Sequence, residues 1–339
     1  MVRFIDDFSL KSYTTFGIAC KAKHFFEFTD SPDLGGFLKS DKFCREKKHF
    51  VLGGGSNLLF LEDYDGLIIH PNVPGIEIIR EDRQHVWVEA GAGEDWDEFV
   101  HYCVAQGFGG LENLSLIPGR VGAAPIQNIG AYGREVCRFV ETVKGYDMKT
   151  MEEHHIPAGD CRFAYRNSIF KNELKGRFIV LSVIFRLDKF PEFELGYGGV
   201  EDEVRKLGGV NLQNIRQAII NIRTGKLPDT KKVGSAGSFF KNPVVGKDVA
   251  SGLKERYPDL PTYPAGEGRS KLAAGWLVDR CGWKGYRNGG AGVHGEQALV
   301  LVNYGNATGK QIFELSEKIR QSVFDKFGVP LEREVDVVF

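Results

Sequence analysis

Residues 109–133, "GGLENLSLIPGRVGAAPIQNIGAYG", limit the folds open to this chain more than any other stretch. Glycines 109, 110, 119, 122, 130 and 133 and prolines 118 and 125 break any helical repeat, so an open backbone must be held in place by elements on either side. A second run, "KHFVLGGGSNLLF" at residues 48–60, sets a strand-like apolar stretch directly before three glycines, with Ser56 and Asn57 in helix-cap positions. Long irregular segments need large cores around them. With 339 residues, 42% of them hydrophobic and 25 of them Phe, the chain has enough apolar surface for two or three domains.

The flanking elements are mixed. Short strands are expected at 66–69, 76–79 and 85–93, followed by a helix over 94–107 in which Trp96, Phe99, Val100, Cys103 and Val104 recur at helical spacing and Gly107 is the stop. Further strands are expected at 136–146 and 178–187, with a loop, "FPEFELGYGG", at 190–199. A helix starts near Leu212, where Ile215, Ala218, Ile219 and Ile222 form one apolar face, and a domain boundary falls near residue 215. After the glycine-rich 225–246, a C-terminal helix presents Ile312, Leu315, Ile319, Val323 and Phe327 and is capped by Gly328. The last residues, "LEREVDVVF", alternate apolar and acidic and return as a strand to an earlier sheet. This order of elements favours an α+β fold over a repeating βαβ chain.

Charge and cysteine usage narrow the class. Lys plus Arg number 44 against 45 acids, a net charge of -1 without long runs of one sign, which gives no general reason to expect a nucleic-acid partner. The six cysteines, at 20, 44, 103, 137, 161 and 281, form no CxxC pair and read as buried thiols in a reducing compartment. The opening "MVRFIDDFSL" fits neither a secretory signal nor a membrane anchor, so a soluble, cytoplasmic-type protein is expected.

Candidate chemistry sits in the glycine-rich stretches. Gly53, Gly54 and Gly55 before Ser56, Asn57 and Leu58 are consistent with an anion nest and equally with a tight turn; neither GxGxxG nor GK[ST] is present. Pro118, Gly119, Gly122, Gln127, Asn128, Gly130, Ala131, Tyr132 and Gly133 supply a second open segment, and the two together suit the ends of one extended cofactor if they meet in space. Arg166, in "FAYRNSIF", is either a packed surface arginine or a carboxylate clamp. In "GSAGSFFKNP", Ser238 lies on a pocket rim or in a capped turn above Phe239 and Phe240. There is no GxSxG or HExxH, the adjacent His154 and His155 have no companion ligands, and His294 reads as a turn histidine, so no metal site is expected.

Taken in order, "VLGGGSNLL", "GLENLSLIPGRVGAAPIQNIGAYG", "YRNSIFK", "KLPDTKKVGSAGSFFKNP" and "LEREV" resemble the UDP-N-acetylenolpyruvoylglucosamine reductase family across nearly the whole chain. The resemblance implies a FAD-binding portion of the p-cresol methylhydroxylase (PCMH) type, made of two α+β lobes at 1–70 and at 71–215 with 320–339, plus a smaller α+β substrate-binding domain at 216–319. It implies FAD as cofactor, NADPH as co-substrate, a monomer, and reduction of UDP-N-acetyl-3-O-(1-carboxyvinyl)glucosamine to UDP-N-acetylmuramate for peptidoglycan synthesis, with hydride delivered to vinyl C3 and a proton to C2.

The catalytic positions carry over as Arg166, Ser238 and Glu334, and Arg166 is also counted among the FAD contacts formed by the two glycine segments. Substrate contacts carry over as Tyr197, Lys226, Ser238, Asn242 and Gln297, Tyr197 marking the longer family type in which a tyrosine closes over the nucleotide diphosphate. Two departures matter. Ala123 and Ala124 replace a usual glycine pair, and Arg333 stands where proline is frequent, leaving Glu332 as an alternative to Glu334. The competing readings are a catalytically idle UDP-sugar-binding protein and a flavin oxidase.

Overall fold

The structure, a computed structural model, describes residues 2–339. By internal contact the chain divides into two units. The first is residues 2–8, Ala22–Gly54 and Asp65–Gly225; the second is Ser9–Lys21, Gly55–Tyr64 and Lys226–Phe339. The expected boundaries cut elsewhere. Residues 1–70, of which Met1 lies outside the described residues, are shared between the units, and 320–339 go with 226–319 rather than with 71–215. The physical reason is the helix Gly309–Phe327, which runs unbroken from a Thr308–Gln311 capping box to a left-handed Gly328. Its apolar residues Ile312, Leu315, Ile319, Val323 and Phe327 all enter the second unit's core, so nothing divides it at residue 320.

The first unit holds two large sheets and a two-stranded pair, Gly130–Ala131 with Arg134–Glu135. An antiparallel sheet runs in the order Glu152–Pro157, Val140–Asp147, Phe178–Asp188, His85–Gly91, Ile76–Glu81. The expected strand at 136–146 begins only at Val140, because Val136–Arg138 form a 3-10 turn. A four-stranded sheet has the order Arg3–Ser9, Lys21–Phe28, Tyr64–Pro71, His49–Val51, the last pair parallel.

The central strand Phe178–Asp188 is buried on both faces and feeds both cores. Phe178 and Val180, then Val183, Phe185 and Leu187, pack with Trp96 and Phe99 of the helix Trp96–Ala105, while Ile179 and Leu181 pack with Phe26, Phe28 and Phe37. The alternation changes parity at a bulge, where Lys144 pairs with Ser182 but Gly145 with Val180. One extra residue thereby turns the strand's apolar side chains from one face to the other.

The second unit is built on the sheet Gly234–Ser238, Val300–Asn303, Ala291–Val293, Arg287–Asn288, covered by Gly309–Phe327. A cap at Ser56 or Asn57 was the sequence expectation, but a strand follows: Leu58–Phe60 pairs in parallel with Asp336–Val338. The final segment therefore does return as a strand. Leu59, Phe16 and Ile18 join Phe239, Phe240 and the C-terminal helix in one core.

Candidate functional site

In the first unit the two glycine segments meet. A Cβ placed on Gly54 would lie 2.7 Å from Gly119 Cα and 3.0 Å from Arg120 N, and one on Gly53 would lie 3.3 Å from Ala123 Cβ. Only glycine at 54 lets the two backbones touch. Gly119 has φ +138°, a conformation closed to residues with side chains. No hydrogen bond runs from the Gly53, Gly54 or Gly119 amide to another described residue, although neighbouring Val121 and Gly122 bond to Glu94 and Ala92 carbonyls. Backbone donors without a protein acceptor at a close glycine crossing suit a phosphate or pyrophosphate, so these residues fit the FAD implied by the sequence. Ala123 and Ala124 do not disturb the wall: Ala124 is right-handed (φ -58°, ψ -47°), and Ala123 lies in the 3-10 turn Val121–Ala123.

Downstream, the wall is held by strained backbone. Leu116, Asn128, Tyr132 and Arg166 all have positive φ, at +58°, +47°, +46° and +53°. Each such residue costs on the order of 1–3 kcal/mol, and their concentration around one segment marks a functional constraint. Asn128 is fully buried, its side chain engaged by the protein: Nδ2 donates to Glu135 Oε2 and Ala164 O, and Oδ1 accepts from Cys137 N. Its part is to fix the wall from behind. Arg166 Nη2 donates to Gly130 O at 2.8 Å and Nη1 to Asn128 O at 3.5 Å, which lays the guanidinium along the carbonyls of the wall. Gln127, Gly130 and Ala131 are half-buried, while Pro118 and Gly133 are exposed.

Tyr197 also belongs to this unit. It is 51% exposed and meets Tyr132 edge-on, with ring centroids 6.5 Å apart at 88°. The tyrosine loop is tied to the wall by Asn113, a fully buried side chain that donates to Tyr132 O at 2.8 Å and to Glu194 O at 2.9 Å. Burial raises the Tyr132 phenol pKa. Beneath the loop, Asp97 accepts from both terminal nitrogens of Arg216, at 2.6 and 2.9 Å, and from Leu116 N at 2.5 Å. Burial pushes the Asp97 carboxyl up, but these bonds outweigh it and its pKa ends below the usual value.

The second unit carries the other candidates. Gly55 has φ +60° and packs against the Tyr13 carbonyl. Ser56 is half-buried, and Leu58 opens its strand. Ser238, also half-buried, ends the strand Gly234–Ser238 opposite Val300, just after the left-handed Gly237. Glu334 N donates to Phe239 O at 2.8 Å, and Asn57 Nδ2 donates to Glu334 O at 3.0 Å, so Asn57, Ser238 and Glu334 come together. Glu332 instead pairs with Lys241. Asn242 Oδ1 accepts from Ala274 N at 2.9 Å, and Gln297 Oε1 lies by Gly275, which places both at the start of the helix Ala274–Arg280. Lys226 is exposed at the end of Leu212–Lys226.

Sequence reasoning passed over Asn113, Glu112 and Arg223. The signal for the first two was a Glu-Asn pair between leucines in "GLENL", polar residues where the chain otherwise buries aliphatics. Arg223 looked like one more cation on a polar helix face. All six cysteines are free; burial raises Cys20 to about 11 and Cys161 to about 12 and keeps these thiols protonated. Among the described residues there is no metal-holding cluster of His, Cys, Asp and Glu, and no helix long and apolar enough to cross a membrane.

Two family models match the chain: "FAD binding domain" over residues 41–155 and "UDP-N-acetylenolpyruvoylglucosamine reductase, C-terminal domain" over 228–338. The chain is 49% identical over 337 residues to the UDP-N-acetylenolpyruvoylglucosamine reductase of Chromobacterium violaceum and 45% identical over 335 residues to that of Flavobacterium johnsoniae, covering 98% of each chain in both comparisons. A crystal structure of the reductase from Thermus caldophilus matches with a TM-score of 0.68 at 25% identity, over 99% of this chain and 98% of that one.

Proposed function

This chain belongs to the UDP-N-acetylenolpyruvoylglucosamine reductase family, and from that premise we propose roles for its residues in reducing the enolpyruvyl ether of UDP-N-acetylglucosamine to UDP-N-acetylmuramate. It is an NADPH-dependent flavin oxidoreductase with an α+β FAD-binding domain of the PCMH type and a C-terminal substrate-binding domain. FAD, when bound, supplies to vinyl C3 of the substrate the hydride that NADPH provides.

Gly53, Gly54 and Gly119 would hold the FAD pyrophosphate through backbone amides, and residues of the 127–133 wall would supply further contacts to the cofactor. Addition at C3 develops negative charge at C2 and on the substrate carboxylate. Arg166, already oriented by the Asn128 and Gly130 carbonyls, stabilises that charge without reorganising. Ser238 delivers the proton to C2. Serine is a weak acid, but the partner carbanion is a strong base, so position rather than a lowered pKa governs the step. Glu334 polarises the carboxylate, and Tyr197, Lys226, Asn242 and Gln297 bind the nucleotide portion.

The observation that supports the reading is the main-chain bond from Glu334 N to Phe239 O, which brings the Glu334 backbone to the residue after Ser238, whereas Glu332 pairs with Lys241. Anaerobic rapid mixing tests it. Ser238→Ala is expected to retain FAD and its reduction by NADPH but to reoxidise slowly with the enolpyruvyl substrate, and Glu334→Gln is expected to slow that second half-reaction more than Glu332→Gln. Equal slowing of both half-reactions by Ser238→Ala, or the reverse order of the two glutamates, overturns these roles. Flavin that NADPH reduces but the substrate never reoxidises in the wild type would favour the oxidase or the idle binding protein.

A further inference from the structure

In the second unit, hydrogen bonds and short chain segments close a ring that runs through the serine assigned above to protonation. Thr15 N donates to Gly55 O at 3.1 Å, and Ser235 N donates to Thr15 O at 3.0 Å. The strand Gly234–Ser238 leads from Ser235 to Phe239, whose carbonyl accepts from Glu334 N at 2.8 Å. Asn57 Nδ2 donates in turn to Glu334 O at 3.0 Å, and Asn57 follows closely on Gly55, where the ring began. Two glycines make the ring tight. A methyl added to Gly55 would run into the Tyr13 carbonyl with Thr14 Cα 2.8 Å away, and one added to Gly234 would run into the Phe16 carbonyl with Phe16 C at 2.7 Å. Phe16 O is itself pinned by the buried Asn303, whose Nδ2 donates to it at 2.9 Å. Residues 13–16 thus form a close-packed spacer between the Gly55 turn and the Ser238 strand.

The ring fixes where Ser238 can be. Its strand is held at the start by Thr15 and just past the end by Glu334, with Phe239 N also bonded to Leu299 O at 2.8 Å. A weak acid that works by position needs such a frame, because a shift of about 1 Å can cost about 100-fold in rate. We propose that Thr15, through its main chain, and Asn57, through its amide, are positioning residues of the protonation step. They clamp the Ser238 strand at both ends so that its hydroxyl meets C2 from one direction. The C2–H bond forms as the serine O–H bond breaks, and the serine oxygen takes its proton back from solvent. This rests on Ser238 as the proton donor, the reading above. A frame that aims the proton also sets the configuration at C2, since water reaching a misaligned centre can protonate either face.

The experiment opens the ring at each end in FAD-loaded protein, follows both half-reactions anaerobically, and reads the C2 configuration of the product by NMR. Gly234→Ala drives the strand off Phe16, and Asn57→Asp keeps the size of the side chain but removes its donor. Gly252→Ala, on the helix Lys247–Arg256 with nothing within 4 Å of the added methyl, is the control and should change neither rate nor configuration. Both ring variants are expected to slow reoxidation by the enolpyruvyl substrate about 10- to 100-fold relative to flavin reduction by NADPH, and to yield a measurable share of the wrong C2 epimer. If Gly234→Ala does not fold, Asn57→Asp decides alone. Equal slowing of both half-reactions with a single C2 configuration would make the ring purely structural and overturn the proposal, as would wild-type rates and configuration in Asn57→Asp. Ser238→Ala, run alongside, separates the two readings: if it protonates C2 at the wild-type rate and in the wild-type configuration, the donor role itself falls and the ring's role with it.

Discussion

Gly54→Ala is the most direct probe of the glycine crossing. The added Cβ arrives 2.7 Å from Gly119 Cα and 3.0 Å from both Gly119 C and Arg120 N, all backbone atoms that no rotamer change can move. Carbon atoms rest comfortably at about 3.5–4.0 Å, so the two segments must part by roughly 1 Å. Overpacking of this size costs about 1–3 kcal/mol. If the strain falls on the arrangement that holds the cofactor, FAD affinity drops about 5- to 150-fold. Gly36→Ala is the matched control: Gly36 is an exposed residue of the helix Ser31–Leu38, nothing lies within 4 Å of its added methyl, and alanine should stabilise by about 0.5–1 kcal/mol. Apoprotein of each variant would be titrated with FAD by flavin fluorescence quenching and melted with and without FAD. A Gly54→Ala protein that melts and binds FAD like the wild type would refute the claim that the crossing is both tight and the cofactor's seat.

Two further expectations concern the polar groups beneath the wall. Asp97→Asn should destabilise by about 2–4 kcal/mol at pH 7, since both partners of the Arg216 pair are largely buried. Because the native Asp97 pKa is depressed, its contribution is present above the unfolded value and lost as pH falls through the folded one, so urea midpoints of wild type and variant should converge in acid; a constant gap across pH would contradict this. Glu112 is the opposite case: fully buried, its Oε2 accepting from Gly110 N, with burial raising its pKa. Its stability is present below the ordinary carboxyl range and lost as pH rises through the raised folded value, so Glu112→Gln should melt above wild type at pH 8 and level with it at pH 4. A variant that melts lower at pH 8 would show the ionised carboxylate to be stabilising.

Regular elements were legible where one periodicity ruled. Trp96 to Val104 and Ile312 to Phe327 repeat at helical spacing because each helix buries a single face, and both helices are where that spacing put them. Legibility failed where tertiary pairing decides. Leu58–Phe60 is a strand only because Asp336–Val338 lies beside it, a partner almost the whole chain away. The strand starting at Val140 was read too early because Val136 and Phe139 are buried without belonging to it. At the site, glycine spacing pointed to two open segments but not to their meeting, since a contact between residues 54 and 119 leaves no local trace. Asn128 was visible as a polar residue in an open loop, yet its side chain faces inward to Glu135, Ala164 and Cys137.

The division of the chain bears on how the protein is made. The second unit draws on Ser9–Lys21 and Gly55–Tyr64, which leave the ribosome early, and on Lys226–Phe339, which leaves last. Phe16, Ile18 and Leu59 are core residues whose packing partners, from Phe239 to Phe327, do not exist until translation is nearly over. The first unit is contiguous enough to collapse while the nascent chain is still growing, but it must do so with two greasy excursions left dangling. Those excursions are where a chaperone would find its footing, and a truncation near the C-terminus would strand them for good.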